Sequence, residues 1–243
     1  MTETSQHVES DDSRSIEYAF TPPQRVAVPI AGSTALFPVH RVYCVGRNYA
    51  DHVVEMGGDP KSEPPVFFSK PTSALVTKGD AVRYPQATHD LHHEVELVVA
   101  LSGGGRDLSL VEAERSVFGY AVGIDFTRRD LQALAKQAGR PWDTAKGFDQ
   151  SAPIGALASA ADYTPAPHSR IALWVDHALK QEATLSQMIW SVPEIVVQLS
   201  TLFELKAGDL IYTGTPAGVA SVQRGQTLRA EIDGLAPLEF SIY

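Results

Sequence analysis

The segment Leu91-His92-His93-Glu94-Val95-Glu96-Leu97-Val98-Val99-Ala100-Leu101 decides how the fold is interpreted. Its second half is continuously apolar, yet Glu94 and Glu96 stand two residues apart near its start. Residues i and i+2 of a β-strand share one face of the sheet, so the two carboxylates would project to the same side. The sequence therefore predicts a strand that carries two acids on one face within an otherwise hydrophobic core.

A third acid, Asp125, follows a second apolar segment that runs from Phe118 to Ile124. Removing a carboxylate from water is unfavourable by several kcal/mol unless a cation or hydrogen-bond donors compensate its charge. The simplest compensation is one divalent metal ion held by Glu94, Glu96 and Asp125. The alternative is that the two glutamates lie on an exposed edge strand.

Three carboxylate ligands favour a hard metal ion such as Mg²⁺ or Mn²⁺, at one ion per chain, and Ca²⁺ would accept the same ligands. Cys44 is the only cysteine, which excludes an intramolecular disulfide and a thiolate zinc site. His92 shares the predicted face of Glu94, so a mixed histidine and carboxylate site for zinc or iron stays open. We favour a supporting role for His92 and His93 outside the ligand sphere.

The composition is that of an ordinary globular protein of 243 residues, with 44% hydrophobic and 20% charged residues. Its formal charge of −9 argues against a nucleic-acid partner, because nucleic acids attract basic surfaces. No apolar run approaches the roughly 20 residues that span a bilayer, and the N-terminus lacks the features of a signal or transit peptide. We therefore expect a cytoplasmic protein that binds neither nucleic acid nor membrane.

One main domain is expected, because no Gly/Ser-rich or Pro-rich linker divides the chain. Residues 1–35 are predicted to form an acidic, partly disordered N-terminal tail and lead-in, and residues 36–243 the catalytic domain. Ser191 and Glu194 have the spacing of a capping box that begins a helix, and Thr127 is expected to cap another. The last third of the chain is predicted to be rich in β-strands.

His52 and Glu55 lie three residues apart in a predicted short helix from Asn48 to Met56. In such a pair the carboxylate would orient the imidazole ring and raise its basicity, so that the ring activates water. The same spacing is common on solvated helix faces, which is the alternative interpretation.

Several cations are candidates for holding an anionic substrate, although most such residues in proteins are surface groups. They are Arg47, Lys70, Arg129 and Lys146. The loop from Thr213 to Gly218 follows an apolar strand and is suited to presenting amides and hydroxyls to a ligand. It lacks the Gly-Lys-Ser/Thr of a phosphate-binding loop.

Five blocks of sequence, in order, resemble the fumarylacetoacetate hydrolase family, in particular its acylpyruvate and fumarylpyruvate hydrolase branch. The resemblance runs from about Val42 to Phe240, and its blocks are Cys44-Val45-Gly46-Arg47-Asn48-Tyr49-Ala50-Asp51-His52, Leu91-His92-His93-Glu94-Val95-Glu96-Leu97, Gly123-Ile124-Asp125-Phe126-Thr127-Arg128-Arg129-Asp130-Leu131-Gln132, Gly139-Arg140-Pro141-Trp142-Asp143-Thr144-Ala145-Lys146 and Thr213-Gly214-Thr215-Pro216.

The resemblance implies an α+β fold, a mixed β-roll of the fumarylacetoacetate hydrolase C-terminal-domain type with short peripheral helices, usually dimeric. It implies that the residues matching Glu94, Glu96 and Asp125 bind Mg²⁺ or Mn²⁺. It also implies that His52 and Glu55 lie on a mobile lid and activate water, while Lys146 contacts the substrate's oxygens. The positions that match a pocket for a pyruvate-like group are Arg47, Arg129, Gln132 and Thr215.

The expected function is hydrolysis of a carbon–carbon bond in an acylpyruvate, that is, a 2,4-dioxo acid, with conversion of 3-fumarylpyruvate to fumarate and pyruvate as the leading case. Decarboxylation of oxaloacetate, or tautomerisation or isomerisation of a related keto acid, would use the same metal site. A non-catalytic metal-binding homologue is the alternative from another class. The presence of His52, Glu55 and Lys146 argues against it, since a binding module has no use for a base beside the metal.

Overall fold

The computed structural model describes residues 19–55, 64–77, 79 and 81–243. The predicted disordered tail and the predicted end of the lid helix at Met56 lie outside the described residues. The strands in chain order are β1 Ala27–Pro29, β2 Leu36–Pro38, β3 Val42–Gly46, β4 Val66–Lys70, β5 Leu75–Val76, β6 Leu91–His92, β7 Val95–Leu101, β8 Val117–Ile124, β9 Thr127–Arg128, β10 Ala152–Pro153, β11 Ala158–Ser159, β12 Arg170–Val175, β13 Ala178–Thr184, β14 Leu210–Tyr212, β15 Ser221–Val222, β16 Thr227–Ile232 and β17 Leu238–Ser241. The α-helices are α1 Ala50–Glu55, α2 Leu110–Ser116, α3 Arg129–Gln137, α4 Asp143–Lys146 and α5 Val192–Leu202.

A six-stranded mixed sheet lies at the centre, in the order β11-β8-β7-β14-β3-β4. Only the pair β14 and β3 is parallel among the neighbours in this sheet. Strand β7 is buried at every position, with its odd-numbered residues in one hydrophobic cluster and its later even-numbered residues in a second. Because both faces of β7 are covered, its side chains form the continuous apolar run seen in the sequence.

A second sheet packs against the first, with the antiparallel order β13-β12-β16-β17. Its contacts with the central sheet run through β12 against β7 and through β16 against β8. Helix α5 packs against α2, and the predicted capping box at its start is confirmed, since Glu194 Oε2 accepts from the Ser191 amide at 2.8 Å. The predicted α+β fold with short peripheral helices is confirmed.

A small sheet of order β15-β6-β9 connects the two acid-bearing strands of the central sheet to α3. The prediction that Thr127 caps α3 is wrong. Thr127 pairs with His92 in this sheet, and the residue before α3 is Arg128, whose side chain makes no capping hydrogen bond. The ladder continues instead through the Arg129 amide, which donates to the Asp90 carbonyl at 2.8 Å.

The segment before residue 36 contributes a strand to the described structure. Strands β1 and β2 pair antiparallel, and Val28 is fully buried in the second hydrophobic cluster. The domain boundary at residue 36 stays a prediction. Among the described residues, no helix is both long enough and apolar enough to cross a membrane.

Candidate metal centre and active site

The strand ends bring the three predicted acids together. Glu96 lies in β7, Glu94 immediately precedes that strand, and Asp125 immediately follows β8. Strands β7 and β8 are neighbours, with Val95 opposite Ile124, so their ends carry the carboxylates to one place. One oxygen from each carboxylate lies within 4.8 Å of the others.

These acids form the floor of a cleft. Its walls contain most of the residues that the sequence singled out, and the lining residues are Val45, Gly46, Arg47, His52, Phe68, Glu94, Glu96, Asp125, Arg129, Gln132, Lys136, Trp142, Lys146 and Thr215. Of the predicted site residues, Glu55 and Lys70 do not line it.

The three carboxylates experience different electrostatic environments. Burial, together with the negative charges of Asp125 and Glu94, raises the pKa of Glu96 well above its usual value. Burial also opposes ionisation of Glu94, but Lys146, Arg129 and His52 hold the pKa of that carboxyl well below its usual value. Glu96 accepts one hydrogen bond from the Gly214 amide, at 2.9 Å, and no cation of the described chain pairs with it. Glu96 is therefore the acid whose charge is least compensated by the protein.

Lys146 bridges the other two acids. Its Nζ donates to Glu94 Oε2 at 2.7 Å and to Asp125 Oδ2 at 2.6 Å. Burial would lower the pKa of Lys146, but the charges of Asp125 and Glu94 outweigh it and the pKa is raised. Lys146 therefore stays an ammonium inside the cleft.

Lys70 lies beneath the floor of the cleft. Its Nζ donates to the backbone carbonyls of Phe126, at 3.1 Å, and Lys146. It also lies 2.8 Å from Asp125 Oδ1, yet its direction does not give that oxygen a hydrogen bond. Lys70 thus compensates the charge of Asp125 from the protein side, rather than from the side that a substrate would enter.

Arg129 and its neighbours form one wall. The Arg129 guanidinium pairs with Glu94 Oε1 and donates to Gln132 Oε1 at 2.6 Å. His92 is not among the clustered ligand atoms, and its ring instead contacts Asp90 at 3.0 Å and Arg129 at 3.3 Å. His92 supports Arg129, which agrees with the favoured interpretation rather than with a zinc or iron site.

His52 faces the cleft from α1 and is backed by Glu55. His52 Nδ1 lies 3.0 Å from Glu55 Oε2, and the other oxygen of Glu55 accepts from the Gly218 amide at 3.2 Å. A carboxylate only accepts hydrogen bonds, so Nδ1 carries the proton and the lone pair of Nε2 is available as a base. His52 is buried, while Glu55 reaches solvent.

The loop after β14 completes the cleft. Gly214 has φ +100°, and a Cβ at this position would lie 2.6 Å from the Asn48 Cβ, so glycine is required there. Gln181 Nε2 donates to Thr215 Oγ1 at 2.8 Å, which leaves the Thr215 hydroxyl proton free to be donated to a ligand. Arg47 enters the cleft from a left-handed backbone conformation, φ 63°, a strain typical of functional positions.

The donor set suits a hard divalent cation. Three buried carboxylates converge and offer oxygen ligands only, and Glu96 accepts a hydrogen bond from the Gly214 amide but forms no ion pair with a cation of the described chain. Oxygen ligands are those preferred by Mg²⁺ and Mn²⁺. The residues present therefore fit a divalent metal ion.

The profile of a known family, described as fumarylacetoacetate (FAA) hydrolase C-terminal, matches residues 41–243. The chain belongs to the fumarylacetoacetate hydrolase family. Its fold resembles a crystal structure of fumarylpyruvate hydrolase from Pseudomonas aeruginosa in complex with Mn²⁺ and pyruvate. The TM-score is 0.90 and the identity 48%, over 93% of this chain and 99% of that one.

Two relatives in the family carry a different activity in their names. The mitochondrial oxaloacetate tautomerase of Rattus norvegicus is 43% identical over 83% of this chain and 90% of its own length. The oxaloacetate tautomerase of Escherichia coli is 38% identical over 84% of this chain and 93% of its own length. The family profile begins at residue 41, whereas the match to the Pseudomonas structure covers 93% of this chain. The structural match therefore extends into the segment before residue 41.

Sequence reasoning missed several residues that line or support the cleft. Lys136, Trp142 and Phe68 line the cleft, and Gln181 orients Thr215 from β13. Lys136 had a usable signal, because it lies on the same helical face as Arg129 and Gln132. Gln181 had none, since its partners lie far away in sequence and only the packing of the two sheets brings them together.

Proposed function

We propose that this family member hydrolyses a carbon–carbon bond of an acylpyruvate in the presence of Mg²⁺ or Mn²⁺, with 3-fumarylpyruvate giving fumarate and pyruvate. The observation that carries the proposal is that His52, backed by Glu55, lines the same cleft as the three acids and Lys146. Similarity to the Pseudomonas fumarylpyruvate hydrolase supports the choice of substrate.

Glu94, Glu96 and Asp125 would hold the metal ion. When bound, the ion would supply a Lewis acid that polarises the oxygens of the keto-acid group. Lys146 would keep its ammonium beside the same oxygens, because its pKa is raised by Glu94 and Asp125 against the effect of burial. Arg47 and the Thr215 hydroxyl would complete the binding of the pyruvate end.

His52 would act as the general base. Its Nε2 would take a proton from water as the water oxygen bonds to C4 of the substrate, and Glu55 would hold the Nδ1 proton and stabilise the charged ring. The C3–C4 bond then breaks, fumarate keeps the new oxygen, and the leaving pyruvate enolate takes at C3 the proton that His52 Nε2 removed from water. The histidine returns to its neutral form at the end of this sequence.

Lys70 is not assigned the contact with the substrate that the sequence suggested. Its ammonium faces Asp125 and two backbone carbonyls beneath the floor. We assign it the role of fixing Asp125 from below.

The test compares His52→Ala with the wild type in the presence of Mn²⁺, following the loss of the dienol absorbance of 3-fumarylpyruvate and the appearance of fumarate and pyruvate. Loss of a general base lowers turnover by roughly 10²- to 10⁴-fold. His168→Ala is the matched control, since this exposed histidine does not line the cleft. Full turnover by His52→Ala would refute the role of the base, and a wild type that hydrolyses no acylpyruvate would refute the proposed function.

A second candidate is tautomerisation of oxaloacetate, which two relatives favour through their named activity. This reaction moves a proton between C3 and the C2 oxygen and breaks no carbon–carbon bond. Decarboxylation of oxaloacetate is a related alternative that needs no activated water, so it should survive loss of His52 better than hydrolysis does. Comparison of kcat/KM for oxaloacetate and 3-fumarylpyruvate on one preparation decides among them.

The predicted homodimer is also a proposal. It is supported by the resemblance of the chain to a family that is usually dimeric. Light scattering on the eluted protein should give twice the chain mass of 26.3 kDa, and a mass equal to one chain would reject it.

A further inference from the structure

Helix α3 turns a polar face towards the cleft. Arg129, Gln132 and Lys136 follow one another at i, i+3 and i+7, which places them on one side of the helix, and all three line the cleft. Leu134 is instead 61% exposed. A helix that buries a glutamine and exposes a leucine is not oriented by hydrophobic burial alone. Its polar face is therefore expected to serve a ligand.

The same face extends from the floor of the cleft to its opening. Arg129 pairs with the buried Glu94 at the floor, whereas Lys136 reaches solvent at the other end. At 1.5 Å per residue the two positions are separated by roughly 10 Å along the helix. A ligand that lies along this wall would meet cations at both of its ends.

Lys136 lacks an acidic partner among the residues that the structure describes. Its Nζ lies 5.4 Å from the centroid of the Trp142 ring, a cation–π contact that fixes the side chain at the wall. Partial burial, followed by the positive charges of Arg129 and Arg47, lowers the pKa of Lys136. The opening of the cleft thus carries positive charge that an anion would neutralise.

We propose that Lys136, held over Trp142, binds a second carboxylate at the end of the substrate that is remote from the three acids. The cleft would then be specific for dianionic acylpyruvates whose two carboxylates stand far apart, such as 3-fumarylpyruvate, over monoanionic ones. Oxaloacetate, with four carbons, carries its carboxylates too close together to use both ends of the wall. This inference rests on the proposed function and names the residue that selects its substrate class.

The experiment compares two substrates on the Mn²⁺-loaded protein: 3-fumarylpyruvate, and acetylpyruvate, which lacks the distal carboxylate. Lys136→Met keeps the length of the side chain and removes its charge. A hydrogen bond to a charged group corresponds to roughly 10- to 100-fold in binding, so kcat/KM for 3-fumarylpyruvate should fall by that factor, chiefly through KM. The loss of kcat/KM for acetylpyruvate should be much smaller, because this substrate has no distal carboxylate for Lys136 to bind. Lys136→Arg should restore much of the lost activity.

Lys206→Met is the control for removal of an exposed positive charge elsewhere on the surface, since Lys206 does not line the cleft. Equal losses for both substrates in Lys136→Met, or no loss for either, would overturn the proposal. If the wild type hydrolyses neither substrate, the proposed function fails, and calorimetric binding of the two compounds to the Mn²⁺-loaded protein judges Lys136 separately. In that case the substitution must weaken binding of 3-fumarylpyruvate alone.

Discussion

The cleft and the outer sheet β13-β12-β16-β17 both contain acids paired with cations at similar distances. On the sheet, Arg229 contacts Glu231 at 2.7 Å and Glu239 at 3.0 Å, and all three side chains are open to solvent. In the cleft, Lys146 contacts Glu94 at 2.7 Å and Asp125 at 2.6 Å, and none of these side chains is more than 6% exposed.

The comparison teaches that distance alone does not set the energy of an ion pair. An exposed pair contributes about 0–1 kcal/mol, because water solvates the separated charges almost as well. A buried pair must first overcome desolvation of both ions, and apolar residues of similar volume would often be at least as stable. Stability therefore explains neither cluster, and ionisable groups buried together in a cleft are typical of a functional site.

The largest effect is expected for Glu96→Gln. This acid lacks a cationic partner in the described chain, and its raised pKa means that an uncharged carboxamide resembles its protonated form. Activity that depends on Mn²⁺ should disappear, while the metal-free variant should unfold in urea at the same or a higher concentration than the wild type. A variant that retained metal-dependent turnover would remove Glu96 from the proposed ligands.

Asp125→Asn should lower the stability of the metal-free protein, in contrast to Glu96→Gln. The substitution leaves the buried ammonium groups of Lys146 and Lys70 with less compensating charge. Breaking a buried pair from one side costs about 3–5 kcal/mol, so the free energy of unfolding in urea should fall by about that amount. Equal stability of the Asp125→Asn variant and the wild type would show that the cleft is more hydrated than its burial indicates.

Stabilisation by Mn²⁺ should increase with pH. The pKa of Glu96 in the folded protein is raised above its usual value of 4.5. The stability that the protonated carboxyl contributes to the metal-free protein is fully present below pH 4.5. It is lost as the pH rises through the folded pKa, because the buried carboxyl must then ionise. Metal binding requires the ionised form, so the gain in Tm should grow across this range. At a hundredfold excess over Kd the gain is about 2.7 kcal/mol, or roughly 5–10 °C for a protein of this size. A shift in Tm that is independent of pH, or equal in Glu96→Gln, would contradict this account.

The smallest effect is expected for Arg229→Ala on the outer sheet. The guanidinium contacts two exposed glutamates, and water solvates the separated charges almost as well, so the urea midpoint should barely change. Denaturation in urea at low and high salt measures it. A loss comparable to that of Asp125→Asn would erase the distinction between the two clusters.

Local periodicity made the acidic part of the cleft predictable. Glu94 and Glu96 at i and i+2, and Asp125 at the end of another apolar segment, are signals within single strands, and strand neighbours then bring them together. The orientation of Lys70 was not predictable, because it depends on carbonyl groups of Phe126 and Lys146 that only the tertiary fold supplies.

The start of α3 shows how tertiary pairing overrides a local signal. Thr127 has the residue type of a helix cap, but the ladder between β6 and β9 takes its backbone into a sheet. That ladder positions Arg129, because it aligns this side chain with Glu94 at the floor of the cleft. The acid cluster therefore follows from local pattern and the fold class from the family resemblance. The position of Arg129 in the wall of the cleft depends instead on the strand pairing that precedes α3.

Gln181 joins the outer sheet to the loop that completes the cleft. From β13 its amide contacts His93 and Val95 at the start of β7, and Thr215 and Pro216 in the opposite loop. Gln181 is therefore a position through which a displacement of the outer sheet would reach the loop that carries Thr215. The alignment of the second sheet thereby helps to hold the Thr215 hydroxyl in place at the edge of the cleft.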